Sequence, residues 1–262
     1  MVLALCLLAA FGYWLGGRRP LRLLPPARGW RSRQWRATAF AAGLAIVATI
    51  GGGPLDQAIA QRIWLRTAQL IVLMTIAAPL LVIGGPWPRI ARLLGQSSRG
   101  AATGSRRFAI LSFALFNGLL LAGYLPAIYG LTGRPGLAQQ TFTVVLVVVS
   151  VIFWAQVIAQ PPRRCALNHV ERVAYLVLSS VVIRMLGLVL GFASTAFYGT
   201  SLIDQQIAAG ILLVPGVLTD LVVLTACLYI WLGQEERKPA ERFDNGGRTL
   251  PVAPEVRRLV SR

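Results

Sequence analysis

Residues 201–233 read SLIDQQIAAGILLVPGVLTDLVVLTACLYIWLG. Polar residues crowd the start, with Ser201 followed by Asp204, Gln205 and Gln206. An apolar run then reaches Leu232, interrupted by Pro215-Gly216 and by Asp220. About 20 helical residues cross a bilayer core, so this stretch is long enough to span one. A simple lipid anchor needs neither an Asp-Gln-Gln opening nor a carboxylate near its middle. Ser201-Leu202-Ile203-Asp204 has the form of a helix-capping box, and Asp204 suits the positive end of a helix.

Working outward, six more apolar runs appear, at about 1–17, 37–53, 63–85, 108–130, 137–159 and 173–195, with the run quoted above occupying about 206–232. Only 13% of residues are charged and 56% are hydrophobic, against about 25% charged in an ordinary soluble domain. The expected fold is therefore an all-α polytopic membrane protein, a bundle of seven transmembrane helices over residues 1–233. Residues 234–262 read as a short charged cytoplasmic tail.

The charge of +17 is distributed by loop. Residues 18–36, 86–107, 160–172 and 234–262 hold 7, 5, 3 and 7 basic residues, 22 of the 26 in the chain. Alternate loops hold only Arg62 and Arg134, while Arg66 and Arg184 fall within apolar runs. Lys and Arg accumulate on the cytoplasmic side of membrane proteins. The N-terminus is therefore expected outside, the tail in the cytoplasm, and the protein multi-pass in a bacterial plasma (inner) membrane. With the charge spent on topology, no nucleic-acid partner is expected.

Several chemistries are poorly supplied. Lys238 is the sole lysine, so no lysine lies inside the helices to hold a retinal-type Schiff base. Cys6, Cys165 and Cys227 are far apart and form neither a metal spacing nor a disulfide framework. His169 is the only histidine; with Cys165 it supplies two ligands, too few for a closed metal site. Met74 and Met185 read as packing residues. Leu3-Ala4-Leu5-Cys6 lacks the basic segment that precedes a lipoprotein signal, and no cleaved leader is expected.

Two groups of polar residues remain as candidates. An outer-face cluster comprises Asp56, Arg62, Arg66, Gln69, Tyr124, Asp204, Gln205 and Gln206, with Gln57, Gln61, Arg134, Gln139 and Gln140 nearby. Arg66 is the natural partner of Asp204 or Asp56. The second group is Arg184 and Asp220, each about 18–20 Å from the inner boundary at about 1.5 Å per residue. At equal depth they are expected to form an intramembrane ion pair; a proton-conducting or small-transporter role is the alternative use of the same two charges. Gly187 and Gly191 allow close helix approach, and Asn117 is placed to hydrogen bond between helices. Pro215-Gly216 is expected to bend the last helix.

Three stretches resemble the CtaG family of cytochrome c oxidase assembly proteins, the seven-helix caa(3) type. Leu202-Ile203-Asp204-Gln205-Gln206-Ile207-Ala208-Ala209-Gly210, Val214-Pro215-Gly216 and the closing Trp231-Leu232-Gly233-Gln234-Glu235-Glu236-Arg237 form the first. Gln69 through Pro86, with Ala78-Pro79-Leu80-Leu81, forms the second. Tyr124-Leu125-Pro126-Ala127-Ile128-Tyr129, followed by Phe153-Trp154, forms the third. The resemblance implies an integral membrane assembly factor for haem-copper oxidase, acting in copper insertion or subunit maturation. Its implied partners are the lipid bilayer and an oxidase subunit or another assembly factor, and no catalysis of its own is implied. The family's histidines, its natural copper or haem ligands, align here with Arg66, Leu70 and Tyr124, and with Gln, Thr or Phe around 139–143. The resemblance alone makes copper a possible cofactor; with those ligands replaced, no metal or other cofactor is expected. A metal-free scaffold paralogue is the alternative reading.

Overall fold

The computed structural model describes residues 1–17, 30–51, 56–85, 106–158 and 167–235. These residues form helices with no strand among them. In chain order they are α1 (Val2–Gly17), α2 (Trp30–Gly51), α3 (Asp56–Gln61), α4 (Ile63–Ile83), α5 (Arg106–Gly123), α6 (Pro126–Thr132), α7 (Leu137–Val157), α8 (His169–Phe192) and α9 (Leu202–Glu235). Met1–Asp220 pack as one compact unit, and Leu221–Arg262 form a second.

Within the described residues, Ile63–Ile83, Arg106–Gly123, Leu137–Val157 and Val170–Phe192 are long and apolar enough to cross a bilayer. Val2–Tyr13 and Leu202–Leu213 are shorter apolar stretches. Large apolar side chains face outward from these helices: Ile110 is 68% exposed and Val189 60%. Contiguous exposure of that kind suits hydrocarbon and not water. The protein is a membrane protein.

The run expected at 108–130 divides in two. Pro126 has no amide hydrogen and disfavours helical backbone at the residue before it. Leu125 accordingly adopts φ −68° and ψ 131°, α5 stops at Gly123, and Pro126 opens the short α6. Two tight hydrogen bonds, Tyr124 N–H to Leu121 O and Leu125 N–H to Ala122 O, both 3.0 Å, close the corner. α8 begins with a capping box, in which Glu171 returns to the Asn168 N–H at 2.8 Å.

α4 carries a π-helical turn over Leu73–Ala77, and Pro79 explains its consequences. In a straight α-helix the Ala78 N–H would bond Met74 O. Here it bonds Leu73 O instead. The next donor in the wider register would be residue 79, a proline without an N–H. The Met74 carbonyl is left to another helix, and the Trp154 indole N–H of α7 fills it at 2.7 Å. Both residues are buried, at 1% and 5% exposure.

Several further joints are apolar or neutral. Val2 of α1, Phe40 and Val47 of α2, and Leu73, Ala77 and Leu81 of α4 form one core cluster. Phe153 of α7 stacks on Phe116 of α5 at 4.0 Å and on Tyr175 of α8 at 4.6 Å. Asn117 bonds between helices as expected, accepting from Ser179 Oγ of α8 at 3.0 Å, while Ser112 and Tyr175 bond at 2.8 Å. A Cβ on Gly187 would lie 3.0 Å from Leu213 Cγ, and one on Gly191 3.3 Å from Ala209 Cβ. The two glycines therefore bring α8 close against the first half of α9, in line with the sequence reading.

Candidate functional site

The first turn of α4 buries a cation. Arg66 is 5% exposed. Its Nη2 donates to Thr132 Oγ1 of α6, and Thr132 in turn donates to Ile128 O at 2.8 Å. The Arg66 Cζ lies 4.5 Å from the centre of the Tyr129 ring, a cation–π contact. Tyr129 packs on Tyr198 with ring centres 4.4 Å apart. Tyr198 donates to Tyr124 O at 2.6 Å, and Tyr124 donates to Thr67 Oγ1 at 2.9 Å. Thr67 neighbours Arg66 in sequence, so the contacts close into a ring. It joins the start of α4, the α5–α6 corner, α6 and the segment before α9.

Burial keeps these phenols, neutral already at neutral pH, from ionising until further into the alkaline range. It raises Tyr198 to about 12, helped by Tyr129 and opposed by the Arg66 charge. Tyr129 is raised by burial first and by the Asp204 carboxylate, with Arg66 acting against both. Tyr124 is raised in the same way, chiefly by burial. At neutral pH the ring therefore offers hydroxyl groups and one guanidinium.

The sequence candidates separate into three sets. Arg66 and Tyr124 meet in this ring, with Asp204 near enough to Tyr129 to act on it electrostatically. Gln69 and Gln205 serve the backbone. Gln69 Nε2 donates to Ile50 O at the end of α2, 2.7 Å away. Gln205 is fully buried. Its Oε1 accepts from Phe197 N–H at 2.9 Å and its Nε2 donates to Leu190 O at 3.0 Å, so one amide ties the end of α8 to the segment that follows it. Arg62 and Gln206 are exposed. Ser201 Oγ accepts from Asp204 N–H at 3.1 Å, the cap read from the sequence.

The expected pairing of Arg66 with Asp204 is not what forms. Among the described residues the salt bridge present is Arg106–Glu171. The guanidinium is turned to Thr132 and Tyr129, which approach from α6. The side chains of Asp56, Asp220 and His169 lie outside the described residues, and with them the alternative Arg66–Asp56 pairing and the Arg184–Asp220 pair; Arg184 itself is half-buried on α8. Sequence reasoning missed Thr67, Tyr129, Thr132 and Tyr198. Tyr129 closes a stretch already singled out; Tyr198 carried no signal beyond being aromatic near a helix start.

Copper does not fit this arrangement. Copper takes imidazole or soft sulfur ligands. The ring supplies neutral hydroxyl oxygens and a guanidinium, which is cationic and has no acceptor.

An all-helical membrane protein with a buried, tyrosine-lined polar ring at one helix end is the class defined so far. The chain belongs to the cytochrome c oxidase caa3 assembly factor family, Caa3_CtaG, whose family model matches residues 11–234. No curated protein and no solved structure matches it.

Proposed function

We propose that this chain assists assembly of a caa3-type cytochrome c oxidase by contact with an oxidase subunit or another assembly factor, without carrying copper and without catalysis. The observation that carries the reading is the chemistry at residue 66. The family match supports the assembly role, while a buried arginine joined to Thr132 and Tyr129 stands where a cation ligand would be needed. A fixed positive charge repels a second cation.

The protein crosses the inner membrane seven times, with its N-terminus outside and its tail in the cytoplasm. The 22 of 26 basic residues in alternate segments support this orientation. The Arg66 ring then lies at the outer ends of the helices.

The test is oxidase activity and membrane copper content in cells lacking the protein, complemented with the unaltered chain. Loss of assembled oxidase, restored by a chain that purifies without stoichiometric copper, is the expected result. Unchanged oxidase in the deletion strain would remove the assembly role. Tight stoichiometric copper on the purified protein would remove the metal-free reading.

A further inference from the structure

A cleft lies among α1, α2, α4 and α7, apart from the Arg66 ring. Its volume is about 450 Å³, within the about 300–1,000 Å³ of ligand pockets. Apart from the Cys6 thiol and the Tyr13 hydroxyl, every side chain lining it is hydrocarbon. Val2, Phe40 and Val47 are buried and form its floor. Leu8 of α1 and Val148 of α7 stand at its rim, 66% and 51% exposed. The lining runs from Val2 to Tyr13 on α1 and from Val144 to Ile152 on α7, about 12–16 Å at about 1.5 Å per residue. The cleft is an apolar trough along the helices.

In a bilayer, lipid tails fill such a trough, since a void forfeits the contacts of its walls. A lipid site differs from bulk lipid by a fixed contact to the headgroup. Phe40, Leu44 and Val47 line the trough from one face of α2. Arg36, four residues before Phe40, continues that face. Tyr13 stacks on Phe40 at 4.4 Å, which marks the end of the trough nearest Arg36. Arg36 is exposed, as is Trp35 beside it, and exposed tryptophans of membrane helices sit at the headgroup level. A cation therefore stands one turn, about 5.4 Å, beyond the end of the trough.

We propose that this cleft holds an acyl chain of an anionic phospholipid whose phosphate lies at Arg36. The hydrocarbon walls take the chain. The guanidinium takes the phosphate, because its planar fork meets two oxygens at once. A zwitterionic headgroup carries its own cation beside the phosphate and gains less from Arg36. Such a site does not depend on the oxidase role.

The experiment uses the full-length protein in detergent micelles with equal amounts of phosphatidylglycerol and phosphatidylcholine of the same acyl chains. Native mass spectrometry reads the lipid retained. Phosphatidylglycerol should be retained about fivefold over phosphatidylcholine, the effect of one near-surface cation on an anionic lipid. Arg36→Gln, at an exposed position, should abolish that preference. Gly12→Leu should expel the lipid. Gly12 lines the cleft, and outside its own helix a Cβ there meets nothing within 4 Å among the described residues. The leucine therefore fills the trough, and it favours a helix over glycine. Gly118→Leu on α5, where a Cβ also meets nothing within 4 Å, should retain lipid as the unaltered protein does. Equal retention of the two headgroups by the unaltered protein would overturn the proposal. So would a preference that survives in Arg36→Gln, or lipid retention in Gly12→Leu equal to that in Gly118→Leu. A neutral isoprenoid retained in place of phospholipid would overturn the phospholipid assignment. Should Gly12→Leu fail to fold, the headgroup comparison in the unaltered protein and Arg36→Gln still decides.

Discussion

Trp154→Phe probes the joint between α4 and α7 at a single hydrogen bond. The substitution removes the indole N–H that lies 2.7 Å from Met74 O. Leaving a buried acceptor unsatisfied costs about 1–3 kcal/mol. Interhelical hydrogen bonds in membrane proteins average only about 0.6 kcal/mol, because the freed group finds another partner. Here the two nearest helical donors are denied: Ala78 N–H is engaged by Leu73 O, and Pro79 has none. The middle of the about 1–3 kcal/mol range applies, about 2 kcal/mol, or about a 30-fold fall in the folded-to-unfolded ratio.

The decisive comparison is a double-mutant cycle with Pro79→Ala, measured by reversible unfolding in mixed micelles. Alanine at 79 restores an N–H that can serve Met74 O in the π register, or lets the turn relax so that Ala78 serves it. Trp154→Phe should then cost at least about 1 kcal/mol less than it does beside Pro79. Identical costs in the two backgrounds, within the about 0.3–0.5 kcal/mol expected of independent sites, would refute the account of the π turn.

Three further outcomes follow from other joints. Gln205→Leu should destabilise by about 1–3 kcal/mol and speed proteolysis within residues 193–201, since the amide ties Phe197 N–H in that segment to Leu190 O at the end of α8; unchanged cleavage would contradict the clamp. Tyr198 ionises at about 12 when folded, against 10 for an ordinary tyrosine, so the unfolded chain loses that proton first. Its stabilising contribution is complete below pH 10 and declines as pH rises through about 12, and tyrosinate absorbance of Tyr198→Phe against the unaltered protein reads it. A cysteine placed within residues 90–105 should resist a membrane-impermeant reagent added from outside, because that segment belongs to the arginine-rich set; ready labelling would invert the topology.

Which features were legible depended on whether their causes were local. The run at 63–85 became Ile63–Ile83 because apolar length decides it. The Ser201 cap and the Gly187/Gly191 approach rest on neighbours one to four residues apart, and both are seen. The corner at Pro126 was equally local, yet the apolar run 108–130 masked it; hydropathy measures burial and is blind to a missing N–H. The partner of Arg66 was different in kind. Charge alone points to a carboxylate, whereas the fold brings Thr132, Tyr129 and Tyr198 from 66, 63 and 132 residues away. No periodicity or spacing in the chain encodes that convergence.

The short stretches that resemble the family gain a physical meaning from where they meet. Ala78-Pro79 leaves the Met74 carbonyl without a helical donor, and Trp154 of the Phe153-Trp154 stretch fills it. Tyr124 through Tyr129 meets the start of α4 and Tyr198 in a ring of phenols and one guanidinium. Gln205, at the centre of Asp-Gln-Gln, is consumed entirely by backbone at the end of α8. An amide can donate and accept at once, which neither a carboxylate nor an ammonium can do at that junction. These residues are joints between helices, and their demands concern geometry more than metal chemistry. That is how residues 11–234 can satisfy the family pattern while position 66 holds an arginine. The joints maintain the helix ends in place, and the guanidinium of Arg66 sits between them, bonded to Thr132 and covered by Tyr129.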